Sequence, residues 1–394
     1  MDNHVLITDY LWFQEGPGVR NTQYTTDGVK LLNVANFVDG NIDLTTSSRY
    51  ISDEEAYGKY KHFLVDEGDF LIASSGIQVD YFEKKMGFIR PEQLPLCMNT
   101  STIRFKNLKP DELDMRYFMY YLKSNAFKNQ LAKYIVGSAQ LNFGPSHLKK
   151  MTFPVVEIKR QKYIVENLEK IYTLIALRKE QLVKLDQLVK SRFIELFGDM
   201  AHKSDKVFLE ELSDFVTVGI ANSATHAYAD DGIVMLRNQN IKENYLDDND
   251  LIHITPEFAK KYGSKQLEEN DILVIRTGYP GVACLVPKKY EGCQTFTTLI
   301  VRLKEASLAH ANYVCHYINS RFGKDYVEQS KVGVAQQNFG AKALAKMPIV
   351  VPPMELQEQF AAFVEQTNKS KLAIQQSLDK LETLKKSLMQ EYFG

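Results

Sequence analysis

Two stretches of the chain place apolar residues at alternating steps of four and three, and each ends in a Phe-Gly pair. The first stretch begins near Ile164 and the second near Phe360. This spacing is typical of a coiled-coil seam. A helix of about 35 residues would be about 50 Å long, so we expect two long helices that pack on each other. The predicted seam comprises Leu168, Ile171, Ile175, Leu182, Leu185, Val364, Ile374, Leu378 and Leu381.

Outside these stretches, short runs of β-branched and aromatic residues alternate with turn residues. Examples are "DFLIASS", "STIRFK", "DILVIRT" and "TTLIVRLK". Runs of this kind predict strands, and helical patches follow them. We therefore expect two globular α/β domains, with the loops "SSGIQVDYFEKK" and "RTGYPG" projecting from strand ends, where recognition residues usually lie.

The second half of the chain repeats the first. A shift of 196 positions aligns residues 137–198 with residues 333–394 without a gap, so that the phrase "GSAQLNFG" falls on "GVAQQNFG". Upstream the likeness is weaker, although "EGDFLIASSG" corresponds to "ENDILVIRTG". A period this long indicates duplicated domains rather than a solenoid.

Length and composition indicate a globular protein of several domains. The 394 residues correspond to two to four domains of the usual size of about 100–200 residues. No apolar run reaches the length of a membrane helix and the N-terminus does not resemble a signal peptide, so we place the chain in the cytoplasm without a membrane partner. The four cysteines form no Cys-x-x-Cys pair, which argues against a disulfide scaffold or a zinc site.

No nucleotide-binding or methyltransferase motif is present in the sequence. The one nuclease-like arrangement combines Asp69 with the "EKK" run at residues 83–85. The second copy keeps an aspartate, Asp271, but has no Glu-x-Lys at the matching place. We therefore predict no catalytic residue and no bound metal.

Basic and short polar side chains on the strand-end loops favour DNA binding instead. Cationic groups attract phosphates, while amides, hydroxyls and arginine read base edges. The candidate DNA-binding residues are Arg20, Ser74, Ser75, Gln78, Tyr81, Lys84, Lys85, Arg276, Thr277, Tyr279, Lys288 and Lys289.

The chain as a whole resembles the specificity subunits of type I restriction-modification systems. The features that carry this resemblance are the phrase G-x-A-Q-x-N-F-G, the segments "EGDFLIASSG" and "ENDILVIRTG", and the run "LAKMPIVVPPMELQEQFAAFVEQ" into the second long helix. The first copy departs from the pattern, because "MTFPVVEIKRQKYI" keeps Gln161 but has only one proline.

The resemblance implies an α+β or α/β fold with two tandem target recognition domains, residues 1–155 and 200–351. They would be separated by two long antiparallel coiled-coil helices, residues 156–199 and 352–394, in a pseudo-two-fold repeat. The chain would be a non-catalytic subunit that binds double-stranded DNA at a bipartite asymmetric site.

The resemblance also implies partners. Two methylation subunits would dock on the chain and through them restriction subunits, and these partners would use S-adenosylmethionine, ATP and Mg²⁺ while this chain binds no cofactor. Since two similar partners need two similar docking surfaces, we expect repeated polar residues to face them. These residues are Gln140, Asn142, Gln161, Gln336, Asn338 and Gln357.

Two other interpretations remain open from the sequence alone. The chain could be a structural coiled-coil adaptor that bridges two copies of a partner without binding DNA. It could also be a nuclease or methyltransferase with duplicated lobes, although the missing motifs argue against this.

Overall fold

The computed structural model describes residues 3–77, 79–134, 141–202, 205–221, 224–331 and 338–394. The chain divides into two compact units. Unit 1 contains residues 1–178 and 377–394, and unit 2 contains residues 179–376. The division falls inside both long helices, so the compact units differ from the four consecutive segments expected from the sequence.

A four-stranded antiparallel sheet lies at the centre of unit 1. Phe70, Leu71 and Ile72 on one of its inner strands are fully buried, because both faces of that strand are covered. In order, the strands are Leu11–Glu15, Thr102–Asn107, Phe70–Ala73 and Met86–Phe88. A mixed three-stranded sheet contains Leu96–Met98, Val29–Leu32 and Tyr50–Ile51, and two-stranded ladders pair Asn3–Leu6 with Thr152–Val155, Phe37–Val38 with Asn41–Ile42, and Ser75–Ile77 with Leu141–Asn142.

Helices cover this sheet. Asp114 caps the helix Met115–Lys123 by accepting a hydrogen bond from the Arg116 amide at 2.8 Å. Phe118 on this helix packs against Phe105 of the sheet with ring centroids 5.4 Å apart. The short helices of unit 1 are Asp53–Tyr57, Met115–Lys123, Asn125–Tyr134 and Pro145–Leu148, and 3₁₀ turns include Val34–Asn36 and Val79–Lys84.

Unit 2 repeats this architecture. Its sheets are Ser213–Val218, Leu299–Leu303, Ile272–Val274 and Ala283–Leu285, and Tyr228–Ala229, Ile252–Ile254, Ile233–Leu236 and Gln294–Thr295. Two-stranded ladders pair Lys206–Phe208 with Pro348–Val350, and Ile241–Lys242 with Tyr245–Leu246. The short helices are Leu209–Leu212, Pro256–Lys261, Ala311–Asn319, Arg321–Ser330 and Ala341–Ala345, and a 3₁₀ turn spans Asn238–Asn240. The predicted mixture of helix and sheet is confirmed.

Corresponding positions of the two units make the same internal contacts. The Tyr117 hydroxyl donates to the Pro154 carbonyl at 3.0 Å, and the Tyr313 hydroxyl donates to the Val350 carbonyl at 2.7 Å. Since these tyrosines are 196 positions apart in the sequence, the repeat extends to the hydrogen bonds of the core.

In unit 1, the start of the first long helix, Ile158–Phe197, packs against the end of the second, Met354–Phe393. The Arg160 guanidinium lies 5.6 Å from the Tyr392 ring, and Lys385 Nζ lies 5.4 Å from the Tyr172 ring. The two segments are therefore antiparallel. The second helix then inserts Phe393 against Tyr117 of the domain, with ring centroids 5.2 Å apart.

In unit 2, the end of the first long helix packs against the start of the second, again antiparallel. Lys371 Nζ donates to Asp186 at 2.6 Å, and the Phe193 and Phe360 rings are 5.4 Å apart. Phe197 packs against Tyr313 at 4.8 Å. Because each helix end fills the core of a unit that its start does not enter, each compact unit contains part of both long helices.

All nine predicted seam residues are shielded from solvent to some degree. Leu168, Ile171, Ile175, Val364 and Leu378 are buried, while Leu182, Leu185, Ile374 and Leu381 are half-buried.

Candidate nucleic-acid interface

Each unit has a loop at the same end of its central sheet. In unit 1 the strand-end loop is residues 74–85, which follows the strand Phe70–Ala73. In unit 2 it is residues 275–282, which follows the strand Ile272–Val274. These are the two loops that the sequence predicted to carry recognition residues.

The described end of the repeated phrase, which includes Phe143 in unit 1 and Phe339 in unit 2, packs on the strand-end loop. The Phe143 amide donates to the Ser74 carbonyl at 3.0 Å, and the Phe339 amide donates to the Arg276 carbonyl at 3.0 Å. Phe143 and Phe339 are both buried. The phrase is therefore a support for the loop, a contact that the sequence analysis did not anticipate.

The strand-end loop of unit 1 has one buried hydroxyl and one exposed aromatic-basic pair. Ser74 is buried, and its hydroxyl donates to Glu15 at 3.4 Å, whereas Ser75 is half-buried. Tyr81 is 53% exposed and the Lys84 Nζ lies 5.5 Å from its ring. Tyr81 and Lys84 therefore present the more accessible chemistry of this loop.

Lys85 and Asp69 serve the fold of unit 1. Lys85 Nζ donates to the Phe37 carbonyl at 2.7 Å. Asp69 forms a buried ion pair with Arg104 at 3.3 Å. The nuclease-like combination of Asp69 with residues 83–85 is therefore not assembled. Among the described residues, no group of His, Cys, Asp and Glu side chains is placed to hold a metal ion.

A polar depression of about 460 Å³ adjoins this loop, and sequence reasoning missed it. Its floor is formed by Asn33 and Asn99, which bond to each other at 3.0 Å. The Arg49 guanidinium stands over the Tyr24 ring at 5.3 Å. The depression is joined to the strand-end loop because the Ser74 amide donates to the carbonyl of Ser101, which lines it. Its lining is Tyr24, Asn33, Val34, Ala35, Thr46, Ser47, Ser48, Arg49, Asn99, Thr100 and Ser101.

Arg49, which lines this depression, and Arg20 both have exposed side chains. Arg20 follows Val19, whose amide donates to Asn99 Oδ1 at 3.2 Å. Neither Arg20 nor Arg49 forms an ion pair with any described residue. The sequence did contain a signal for this site, since "TTSSR" at residues 45–49 concentrates hydroxyls beside an arginine.

The strand-end loop of unit 2 gathers polar side chains from three segments. Arg276 Nε donates to Asn338 Oδ1 at 3.0 Å, and Asn238 Nδ2 donates to the Thr277 hydroxyl at 3.3 Å. Tyr279 is 83% exposed at the tip of the loop. The structure thus brings together residues that the sequence assigned to two roles, DNA binding and partner docking.

Lys288 and Lys289 are not part of this cluster. They follow the strand Ala283–Leu285, which runs antiparallel to Ile272–Val274, so they lie at the opposite end of the sheet from the strand-end loop. Lys288 is paired with Glu291, and Lys289 is paired with Asp248. A hydrogen bond and the charge of Glu291 raise the pKa of Lys288.

Gln161 and Gln357 are buried and do not offer a docking surface. Gln161 accepts a hydrogen bond from the Asp114 amide at 2.9 Å and donates to two carbonyls. Gln357 likewise accepts a hydrogen bond from the His310 amide at 2.8 Å and donates to two carbonyls. Both amides therefore join the start of a long helix to its own domain, which corrects their assignment to partner docking. Gln78, Gln140 and Gln336 lie outside the described residues, and of Asn142 only the backbone pairing with Ser75 is described.

Corresponding depressions lie beside the long-helix ends in the two units. The one in unit 1 measures about 370 Å³ and includes Lys128 and Lys386. The one in unit 2 measures about 820 Å³ and includes Lys324 and Lys190. These lysines correspond under the 196-residue shift. In unit 1 the depression also includes Lys123, whose pKa is lowered to about 8 by burial.

The long helices also carry exposed apolar side chains. Within unit 1, Tyr163, Leu174 and Leu177 lie on one side of the first long helix, because their spacing of eleven and three residues returns nearly to the same direction. In unit 2 the exposed apolar residues of the two long helices are Val183, Leu188, Ile194 and Leu372. No helix in the described ranges has the length and apolarity needed to cross a membrane.

The family described as type I restriction modification DNA specificity domain matches the chain twice, over residues 28–187 and 203–385. The chain therefore belongs to this family, which confirms the resemblance drawn from the repeated phrase and helices. Each match covers one copy of the repeat.

Curated relatives have the corresponding name. The MjaVIII specificity subunit of Methanocaldococcus jannaschii is 24% identical over 186 residues, which cover 47% of this chain and 43% of that protein. The EcoKI specificity subunit of Escherichia coli K12 is 19% identical over 279 residues, which cover 66% of this chain and 60% of that protein. The alignments thus span less than two thirds of these relatives.

Solved structures share the fold over the whole chain. The S subunit of a type I restriction-modification system from M. genitalium has a TM-score of 0.55 at 14% identity, with 100% of this chain and 96% of that chain covered. A chain from a structure concerned with complex assembly and conformational transition of the type I R-M system has a TM-score of 0.61 at 15% identity, covering 99% and 97%.

Proposed function

We propose that this chain is the DNA-recognition subunit of a type I restriction-modification complex and that each unit reads one half of a bipartite, asymmetric site. The observation that carries the proposal is the pairing of like scaffolds with unlike loops. Phe143 and Phe339 support the two loops in the same way, yet the loop of unit 1 presents Tyr81 and Lys84 while the loop of unit 2 presents Arg276 and Tyr279. Side chains that differ on one scaffold read different bases.

The chain itself is non-catalytic in this proposal. S-adenosylmethionine is used by two methylation subunits, and ATP with Mg²⁺ by restriction subunits. The ion pair that occupies Asp69 and the hydrogen bond that occupies Lys85 support this division, because neither side chain is left to activate water or hold a metal.

Two similar docking surfaces on the long helices suit two copies of one methylation subunit. The exposed apolar side chains there are the kind of surface that a partner covers. The depressions that contain Lys128 with Lys386 and Lys324 with Lys190 supply matching positive charge at corresponding places. The antiparallel helices would hold the two domains apart and so fix the length of the spacer between half-sites.

Sequencing of methylated adenines in cells that express this chain with its methylation subunits tests the proposal. We expect a motif of two defined half-sites separated by a spacer of constant length and undefined sequence. Cells that express the methylation subunits alone are the control. A continuous motif, or methylation that does not depend on this chain, would contradict the proposal.

DNA affinity measured across salt concentrations separates this function from that of a pure adaptor. Neutralisation of phosphates makes affinity fall steeply as salt rises. An assembled complex that binds no DNA at low salt would favour the adaptor.

A further inference from the structure

Arg276 differs from the other arginines of unit 2 in its ion pairing. Each of the other four binds a carboxylate, and the pairs are Arg192 with Glu195, Arg237 with Asp250, Arg302 with Asp271, and Arg321 with Asp325. Arg276 forms no ion pair with a described residue and bonds instead to the neutral amide of Asn338. No carboxylate among the described residues therefore neutralises its positive charge.

The contact with Asn338 also orients the guanidinium. Arg276 Nε donates to Asn338 Oδ1 at 3.0 Å, which uses the donor nearest the side-chain stem. The two terminal nitrogens make no hydrogen bond to a described residue. A planar guanidinium held in this way can present them end-on as two parallel donors.

The loop that carries Arg276 is closed and stiffened at its base. The Ile275 amide donates to the Val282 carbonyl at 2.8 Å, and the Phe339 amide donates to the Arg276 carbonyl. Gly281 has a φ of +91°, and a Cβ there would come within 2.8 Å of Val327, so the loop packs closely on a helix. A loop that is already ordered loses less conformational entropy when a ligand binds to it.

Paired donors of this geometry match one base edge in the DNA major groove. Guanine places its O6 and N7 acceptors side by side there, and bidentate arginine is the commonest specific contact to it. Adenine has one acceptor and one donor at the same positions, and it would set an N–H group against another N–H group. The residue of unit 1 that corresponds to Arg276 is Ser74, which is buried and cannot make this contact.

We propose that Arg276 reads a guanine in the half-site recognised by unit 2, and that Asn338 of the repeated phrase is the positioning residue for it. The inference rests on the proposed function and deepens it. It moves Asn338 from partner docking to the support of base recognition.

The test uses the full complex and a duplex that carries the site defined by adenine-methylation sequencing. Each guanine of the site is replaced in turn by 7-deazaguanine, which lacks the N7 acceptor, or by inosine, which keeps O6 and N7. For one guanine of a single half-site, 7-deazaguanine should weaken binding about tenfold or more while inosine has little effect. With Arg276→Ala, the same replacement should change affinity less than twofold.

Asn338→Ala should reduce discrimination at that guanine and leave the other half-site unchanged. Asn338→Asp keeps an oxygen acceptor for Arg276 Nε but adds a negative charge beside the guanidinium, so it should restore discrimination only in part. A purely structural role would affect folding or co-purification with the methylation subunits rather than one base. Arg321→Ala, which removes an arginine paired with Asp325, is the matched control and should retain the target sequence.

Several outcomes would overturn the inference while leaving the proposed function intact. One is a bipartite site in which neither half-site loses guanine discrimination in Arg276→Ala. Another is equal loss at all guanines, which would indicate a general phosphate contact. If the wild-type complex defines no bipartite site, the proposed function itself fails.

Discussion

The ends of the long helices make similar contacts in the two units, whereas the strand-end loops carry different side chains. Phe393 packs on Tyr117 at 5.2 Å in unit 1, and Phe197 packs on Tyr313 at 4.8 Å in unit 2. The loops differ most at the position where Ser74 in unit 1 corresponds to Arg276 in unit 2. Since the aromatic contacts lie in the core and the loops at the sheet end, recognition residues can change without disturbing the helix contacts.

The hairpins beside the loops differ as well. In unit 2, Glu243 at the hairpin tip bonds to Lys190 of the first long helix at 2.7 Å and to Lys324 at 3.0 Å. In unit 1 the corresponding tip residue, Asp39, pairs with Lys84 of the strand-end loop at 3.4 Å. The strand-end loop of unit 1 is longer, and it contacts the hairpin through Lys84. The strand-end loop of unit 2 is shorter, and the hairpin of unit 2 contacts the first long helix instead.

The largest expected effect comes from removing the second half of the chain. A fragment of residues 1–199 lacks Phe393 but keeps Phe197, its counterpart in the repeat. In a two-fold dimer, Phe197 of one copy can occupy the place of Phe393 in the other, and a two-fold dimer reads a symmetric site. We expect methylation of the first half-site and its inverted copy, measured by methylome sequencing.

The fragment with Phe197→Ala is the control, and it should remain monomeric by light scattering and methylate nothing. Methylation of the original asymmetric site by the unsubstituted fragment would show that the two units are not separate reading modules.

Phe197→Ala and Phe393→Ala should each destabilise the unit whose core that side chain enters. Removing a buried phenylalanine costs about 3–5 kcal/mol. Phe197 lies against Phe193 and Tyr313 in unit 2, and Phe393 lies against Tyr117 and Tyr121 in unit 1. Hydrogen exchange of each unit measures the loss. Equal loss in both units from either substitution would mean that the helix ends do not act locally.

Unit 2 should lose stability in mild acid while unit 1 does not. His316 is buried beside Phe360, and its pKa is lowered from 6.5 to about 4, chiefly by burial and to a lesser extent by the charges of Lys371 and Lys190, while Glu243 opposes the shift. The unfolded chain therefore binds a proton first as pH falls. Protonation of His316 in the unfolded chain should therefore lower the free energy of unfolding of unit 2 by about 3 kcal/mol between pH 6.5 and pH 4.

Urea unfolding with hydrogen exchange across this pH range tests the effect. His316→Gln should flatten the pH dependence of unit 2. The corresponding residue of unit 1, Tyr120, does not titrate there because burial raises its pKa. An unchanged slope in His316→Gln would rule out this histidine as the cause.

The smallest effect is expected at the hairpin tips. Burial raises the pKa of Glu243, but hydrogen bonds from Lys190 and Lys324 outweigh it and leave the pKa below 4.5. The stability that ionised Glu243 gives to unit 2 is therefore present above pH 4.5 and is lost as pH falls through the lowered pKa. Glu243→Gln should cost about 1 kcal/mol at pH 7 by urea unfolding, whereas Asp39→Asn should change less than about 0.5 kcal/mol because Asp39 is exposed. A larger loss of stability in Asp39→Asn than in Glu243→Gln would contradict this comparison of the hairpins.

The long helices and the repeat could be predicted from the sequence because their signals are local. Apolar spacing such as that of Leu168, Ile171 and Ile175 reports directly on one helix face. The contact of the phrase with the strand-end loop could not be predicted, because it joins residues more than 60 positions apart, such as Arg276 and Asn338.

Only part of the candidate site could be predicted, because local sequence patterns mark only some of its residues. Arg276 and Thr277 could be chosen because they follow a strand, but a strand reversal carries Lys288 to the other end of the sheet. The depression of unit 1 combines Asn33, Arg49 and Asn99 from separate segments, which no local pattern joins. Gln161 looked like a surface residue because its hydrogen-bond partners are backbone groups, which the sequence does not reveal.

The division of unit 1 between residues 1–178 and 377–394 also bears on the order of synthesis. Unit 2 is one continuous run, whereas unit 1 needs residues that follow all of unit 2 along the chain. At about 5–20 residues per second, Phe393 emerges roughly 14 to 55 s after Tyr117, the residue that it covers in the folded unit. Phe197, the counterpart of Phe393 in the repeat, emerges first, so we expect an interval in which neighbouring chains on one messenger RNA exchange helix ends.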